Sequence, residues 1–108
     1  MTPENDWKPG EQSDSQTDLQ LVRKVRNGDR AAFDLLVVKY QSRVASIISR
    51  YVYDSQEVMD LTQETFVKAF RAIDRFRGDS AFYTWLYRIA VNTAKNFLEA
   101  RGRRPQGS

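Results

Sequence analysis

The chain of 108 residues contains neither histidine nor cysteine. That double absence removes imidazole bases, thiol nucleophiles, disulfide staples and the usual nitrogen and sulfur ligands of zinc. Only carboxylates, hydroxyls and lysines remain for catalysis, and no constellation of them marks a pocket or a metal, so neither an enzyme nor a cofactor is expected. Long apolar runs are also missing. The longest is Leu35 to Val38, far short of a bilayer span, and the N-terminus lacks the charged-then-apolar pattern of an export signal. These features agree with a cytoplasmic protein. Period-two alternation of any length is absent as well, which leaves no candidate strand.

What is present is enough for one core and too little for two ordinary domains, at 41% hydrophobic and 29% charged residues. Charge is unevenly spread. Residues 1–22 hold five acidic side chains against Lys8, whereas residues 71–104 hold eight basic ones against Asp74, Asp79 and Glu99. A basic C-terminal third points to a polyanionic partner, with a solvated charged face as the plainer alternative.

Residues 1–17, rich in Pro, Gly, Ser and acid, are too poor in apolar side chains to offset their ordering entropy and read as a disordered acidic leader. From Asp18 the pattern is helical, giving a helical domain over residues 18–100 and a basic tail over 101–108. Leu19, Val22 and Val25 form a stripe ended by Asn27-Gly28. Asp29 caps a second helix carrying Phe33, Leu36, Val37, Tyr40, Val44, Ile47, Ile48 and Tyr51. Asp54-Ser55 breaks it, and a third helix runs from about Gln56 to about Ile73. Phe76 to Asp79 is a short loop, and Asp79 or Ser80 caps a fourth helix that ends near Ala100. The expected fold is all-α, four compact helices with a short loop before the last.

On the third helix, Met59, Phe66, Phe70 and Ile73 share the side expected to pack inward, flanked by Val58, Leu61 and Ala69. Glu57, Asp60, Glu64, Lys68 and Arg71 recur at spacings of three and four on the other side. Two like-charge neighbours, Glu57–Asp60 and Asp60–Glu64, cost a few tenths of a kcal/mol each, roughly, on an isolated helix. A face serving only solubility could avoid that repulsion, so a docking surface for a basic partner stands beside the solvated-face alternative.

The fourth helix is more telling. Leu86, Ile89, Ala90, Thr93 and Phe97 form its apolar stripe. Arg88, Asn92, Lys95 and Glu99 lie opposite, with Trp85 and Asn96 along one flank and Tyr87 at the other boundary. Asparagine is a poor mid-helix residue, yet its amide both donates and accepts, which suits the edge of a base. Cations for phosphates, an aromatic for stacking and amides for discrimination together fit single-stranded nucleic acid. The Arg77-Gly78-Asp79-Ser80 loop adds backbone donors and room for close approach, and Phe76 and Phe82 beside it could wall a small pocket.

Two stretches, GDRAAFDLLVVKYQSRVASIISRYV and DLTQETFVKAFRAIDRFRGDSAFYTWLYRIAVNTAKNFL, resemble conserved region 2 of extracytoplasmic-function sigma factors of bacterial RNA polymerase. The likeness is closest to the sigma-E and alginate-regulator subgroup and covers about Asp18 to Arg104. It implies a non-enzymatic initiation factor of an envelope-stress response. In that family the D-x-x-Q-E helix docks on the clamp helices of the polymerase beta-prime subunit. Carried over, Asp60, Gln63, Glu64, Lys68 and Arg71 are the expected core-binding face. The loop and following helix capture the non-template strand of the minus-ten promoter element, with one base flipped out. Carried over, Phe76, Arg77, Gly78, Asp79 and Ser80 shape the base pocket, and Trp85, Arg88, Asn92, Lys95 and Asn96 hold the strand. An anti-sigma protein that occludes the docking surface is a further implied partner, and no direct membrane contact is implied. A second domain reading the minus-thirty-five element follows a linker in the family, and residues 101–108 stand where that linker would begin.

Two other readings fit parts of the chain. A duplex-binding helical regulator needs its Arg and Asn at the N-terminal end of a recognition helix, whereas here they run along its middle. A protein-only adaptor would use the third helix alone and leaves Asn92 and the Arg-Gly-Asp-Ser loop unexplained.

Overall fold

The computed structural model describes the backbone of residues 9–102 and the side chains of residues 15–102. The rest of the acidic leader, residues 1–8, and of the basic tail, residues 103–108, lies outside the described residues. Four helices follow one another, α1 (Pro9–Arg26), α2 (Arg30–Ser49), α3 (Ser55–Ala72) and α4 (Phe82–Gly102), with a 3₁₀ turn (Ile73–Arg75) closing α3. Among the described residues there is no strand, as the absence of alternation requires.

The helix ends obey local chemistry. Gly28 at φ +99° terminates α1, with its N–H bonded to the Val25 carbonyl at 2.9 Å and the Asp29 N–H to the Lys24 carbonyl at 2.9 Å. That pair of reversed bonds is the glycine stop anticipated at Asn27-Gly28. Asp29 then accepts from the Ala32 N–H at 3.3 Å and starts α2, and Asp54 accepts from the Gln56 N–H at 3.0 Å and starts α3.

Three boundaries differ from expectation. Helix α2 ends at Ser49, so Tyr51, expected on it, lies in the turn that follows. Helix α1 opens at Pro9, so residues 9–17, read from composition as part of a disordered leader, are helical. Proline is suited to a first helical position because its missing N–H has no intrahelical partner to lose. Helix α4 opens at Phe82 rather than directly after Asp79 or Ser80, and the Ser80 hydroxyl donates to the Ala81 carbonyl at 3.3 Å instead of capping.

Helix α2 is the hub, touching α1, α3 and α4, and it contributes Phe33, Leu36, Tyr40, Val44, Ile47 and Ile48 to the core. The third-helix wheel needs correction. Met59, expected inside, is 58% exposed, while Leu61, Thr65 and Ala69 are buried together with Phe66. Thr65 is the reason. Its hydroxyl donates to the Leu61 carbonyl at 2.8 Å, so a polar residue sits in the core fully bonded and the buried arc is centred on it. A wheel weighted by hydropathy draws that arc too far toward Met59. Thr93 does the same on α4, donating to the Ile89 carbonyl at 2.8 Å. On α4 itself Phe82, Leu86, Ala90, Thr93 and Ala94 are buried, with Ile89 and Phe97 at the edge.

Among the described residues one charge lies inside. Asp18, on the same α1 face as Val22 and Val25, is only 2% exposed. It accepts from Lys39 at 2.7 Å and from the Tyr40 hydroxyl, both on α2. The Tyr40 ring in turn stacks on Tyr83 of α4 at 5.4 Å and lies 6.0 Å from Phe82. A single carboxylate thus ties α1 to α2 and, through Tyr40, to the first turn of α4. Removing it leaves the Lys39 ammonium and a buried hydroxyl without that acceptor. We expect Asp18→Ala to lose about 2 kcal/mol or more of stability in urea unfolding, against less than about 0.5 kcal/mol for the exposed neighbour Thr17→Ala. Equal losses for the two variants would contradict a structural role for the carboxylate.

Candidate nucleic-acid and docking surfaces

The loop between the 3₁₀ turn and α4 is short and held by aromatic packing. Phe76 is 3% exposed, with its ring 5.8 Å from Phe82 and 5.3 Å from Trp85, and Phe82 and Trp85 lie 5.7 Å apart. Three rings in mutual contact pin the start of the loop to the first turn of α4. Beyond them Gly78 takes φ +82°, a conformation that strains any residue with a Cβ, which explains glycine at this point. Arg77 and Asp79 are exposed, and Ser80 is half-buried.

From this anchor the polar flank of α4 runs outward. Trp85 is half-buried, and Arg88, Asn92, Lys95 and Asn96 are all exposed. None of these five makes a side-chain hydrogen bond or ion pair to another described residue. Trp85 to Asn96 spans eleven residues, about 16 Å of helix, which matches about five stacked nucleotides at their per-strand spacing. The flank therefore offers a ring, two cations and two amides with no hydrogen-bond or ion-pair partner among the described residues.

The loop residues expected to shape a pocket divide. Phe76, Arg77 and Gly78 line a cleft of about 240 Å³, and Asp79 and Ser80 do not. Phe82 lies behind Phe76, in the core, and forms no wall. The opposite wall comes from α1, through Leu19, Val22, Arg23 and Arg26. That contribution was not legible in the sequence, because nothing local to α1 announces which loop it meets.

On α3 the expected docking residues divide too. Asp60, Gln63, Glu64 and Arg71 are exposed on one outward face, with Asp60 accepting from the Gln56 amide at 3.1 Å. Lys68 turns from that face toward α4. It is half-buried, pairs with Glu64 at 3.1 Å and reaches the Thr93 hydroxyl at 3.4 Å. Glu57 is likewise drawn to α4, where it pairs with Arg101, and the Arg101 guanidinium lies 4.6 Å above the Phe97 ring. The repulsive Glu57–Asp60 neighbours are thus relieved by a cation from another helix.

The sequence reading also missed apolar members of the outward face. Val67 is 47% exposed between Glu64 and Arg71, four residues after Gln63, and Met59 stands four residues before Gln63. Helix α2 also exposes Leu35 and Val38. Depressions of about 260 and 360 Å³ lie along the α2–α3 groove, one by Ala45, Met59 and Gln63 and the other by Phe33, Phe70 and Arg71. The signal was available: a valine at the centre of a charged helical face, at spacings of three and four from its neighbours, has no solubility purpose.

The arrangement is matched in known proteins. A family model described as Sigma-70 region 2 matches residues 36–104. The RNA polymerase sigma-H factor of Pseudomonas aeruginosa is 64% identical over 91 residues, 84% of this chain and 47% of that protein. The ECF RNA polymerase sigma-E factor of Escherichia coli (strain K12) is 65% identical over 96 residues, 89% of this chain and 50% of that protein. The chain spans about half the length of the curated relatives it matches. Among solved structures, an engineered region 2 of sigmaE in complex with GTAAAA superposes with a TM-score of 0.77 at 58% identity, covering 82% of this chain and 93% of that one. CnrH, in complex with the cytosolic domain of CnrY, superposes with a TM-score of 0.68 at 30% identity, covering 84% of this chain and 68% of that one. With a family model matched over residues 36–104 and relatives about 65% identical, the chain belongs to the sigma-70 region 2 family, and within it is similar to region 2 of the sigma-E factors.

Proposed function

We propose that this domain docks an initiation factor of the extracytoplasmic-function class on the RNA polymerase core and captures the non-template strand of the minus-ten promoter element in the cytoplasm. The observation that carries the reading is the α4 flank. Trp85, Arg88, Asn92, Lys95 and Asn96 run outward from the loop with no hydrogen-bond or ion-pair partner among the described residues, in a fold shared with a region 2 bound to GTAAAA.

The chemistry is selective binding, with no bond in DNA made or broken by the domain. Opening the promoter separates stacked bases, and extruding one costs a few kcal/mol, roughly. Stacking on Trp85, amide contacts from Asn92 and Asn96 and phosphate neutralisation by Arg77, Arg88 and Lys95 offset that cost on the open strand alone. Since the duplex hides its bases, the differential affinity shifts the closed–open equilibrium toward the open promoter. The outward face of α3 serves the other task. Asp60, Gln63, Glu64 and Arg71, with Met59 and Val67 between them, present acid and exposed apolar surface to the beta-prime clamp helices. Lys68 acts there by holding Glu64 in place. An anti-sigma protein covering the same α2–α3 surface would block docking, in line with the partner-bound state of the related CnrH.

Trp85 also packs on Phe76 and Phe82, but Arg88, Asn92, Lys95 and Asn96 are exposed and make no side-chain bond to another described residue, and that separates function from architecture. Asparagine at two exposed mid-helix positions lowers helix stability relative to alanine. Asn92→Ala is therefore expected to melt at the same temperature as the wild type or slightly higher, while losing discrimination between GTAAAA and a scrambled strand in fluorescence anisotropy. A lowered melting temperature with discrimination intact would reverse the assignment. Three cations on a single strand predict a slope of about −2 for the logarithm of affinity against the logarithm of salt concentration, reduced by about 0.7 in Arg88→Ala. Equal affinity for duplex at the same salt would favour a duplex-binding regulator instead.

A further inference from the structure

The first half of α1 and one edge of α2 carry opposite charge in matching register. Asp18, Val22 and Val25 lie on the face of α1 that packs inward. At spacings of three and four, Glu11 and Asp14 continue that stripe toward the N-terminus of the helix. The stripe is therefore apolar near the turn and acidic at its far end. On α2, Lys39, Arg43 and Ser46, followed by the capping residue Arg50, recur at the same spacings along one edge. The only acidic residue of α2, Asp34, lies instead in the groove toward α3.

The two helices run side by side. Asp18 stands eight residues before the end of α1 and Lys39 nine after the start of α2, and the two are bonded at 2.7 Å. Nearly equal arms on either side of the short Asn27–Asp29 connection make an antiparallel pair. One turn beyond Asp18 on α1 is thus level with one turn beyond Lys39 on α2, which matches position 14 to Arg43. A further turn brings position 11 between Arg43 and Arg50.

Arg43 is prepared for an anionic partner. It is exposed, and no carboxylate among the described residues pairs with it. Its guanidinium lies 5.3 Å from the centre of the Tyr83 ring and 5.7 Å from that of Tyr40. Rings hold a guanidinium by its face and leave its N–H donors for an oxyanion. Tyr83 belongs to the first turn of α4, and Tyr87, one turn on, lies 6.4 Å from it. Arg43 therefore stands beside the start of the helix whose polar flank is itself cationic.

We propose that this edge of α2 is the docking strip of the chain's own acidic leader. Asp14 pairs with Arg43, Glu11 lies between Arg43 and Arg50, and the docked leader screens the edge from other polyanions. Charge and register select the occupant. An acidic segment tethered one turn from its partner also has a high effective concentration there. The docking requires no promoter sequence, so it stands or falls independently of the strand reading above.

A charge swap tests the docking. Amide hydrogen exchange of residues 13–18 is followed by NMR in the full chain at low salt, for the wild type, Asp14→Arg, Arg43→Asp and the double variant. Each single reversal is expected to speed exchange by about threefold or more, and the double variant to return to within about twofold of the wild type. Carboxylates near a helix start also interact with the helix dipole. A loss in Asp14→Arg that Arg43→Asp does not repair is that dipole effect alone and overturns the docking. Exchange unchanged by either reversal overturns it too. Protection that rises with protein concentration would place the leader of a second copy on the strip and overturn the tethered contact. Screening is read by fluorescence anisotropy of a labelled twenty-nucleotide thymidine strand at the same salt. Removing residues 2–14, which keeps Asp18, Val22 and Val25, is expected to tighten binding about fivefold, but less than about twofold in an Arg43→Gln background. Equal gains in both backgrounds reflect net charge only and overturn the screening.

Discussion

The loop before α4 is held against the first turn of that helix by one buried ring, Phe76. The loop that carries it is too short and too exposed to be held by backbone bonds, and among the described residues its firmest attachment is the contact of Phe76 with Phe82 and Trp85. Aromatic pairs of this kind contribute about 0.5–1.5 kcal/mol each beyond the area they bury. The ring thereby sets where Trp85 stands, where Gly78 turns and how far the loop lies from α1. A surface arranged before its ligand arrives loses less entropy on binding, and here the arrangement is done by hydrophobic packing, with Arg88, Asn92, Lys95 and Asn96 making no side-chain bond to another described residue.

The same frame keeps two opposite surfaces apart. The outward face of α3 is acidic and apolar, and the outward face of α4 is basic and amide-rich. Between them runs a seam in which Thr65 and Thr93 are buried with their hydroxyls bonded to their own helices. Glu57 and Lys68, charged residues that might have blurred the division, are drawn into contacts across it, Glu57 with Arg101 and Lys68 with Thr93. The buried Asp18 secures the third element, bringing α1 onto α2 and, through Tyr40 and Tyr83, onto α4. Without α1 in that place the loop would have no facing wall.

Much of this was legible before any coordinates. Asn27-Gly28, Asp29 and Asp54 mark helix ends because capping is local chemistry, and the structure places the stops and starts at those residues. The α4 flank was legible because its polar set is anomalous for a helix that only packs. The errors share one cause. Thr65 in the core, Met59 outside it and Asp18 under α2 all depend on which side chain meets which across helices, and a hydropathy wheel has no access to that. Asp18 did leave a trace, four and seven residues ahead of Val22 and Val25 on the buried stripe. The α1 wall of the cleft left none, since it arises from the approach of segments more than fifty residues apart.

The central claim is that strand capture and polymerase docking occupy separate faces of one rigid frame. Backbone amide chemical shifts of the whole chain, followed by NMR as single-stranded GTAAAA is added, test it most directly. The account predicts perturbations along Trp85 to Asn96, in the loop from Phe76 to Ser80 and in the last two turns of α1, with Asp60 to Arg71 unmoved. Perturbations centred on the outward face of α3, or spread evenly over all four helices, would contradict it.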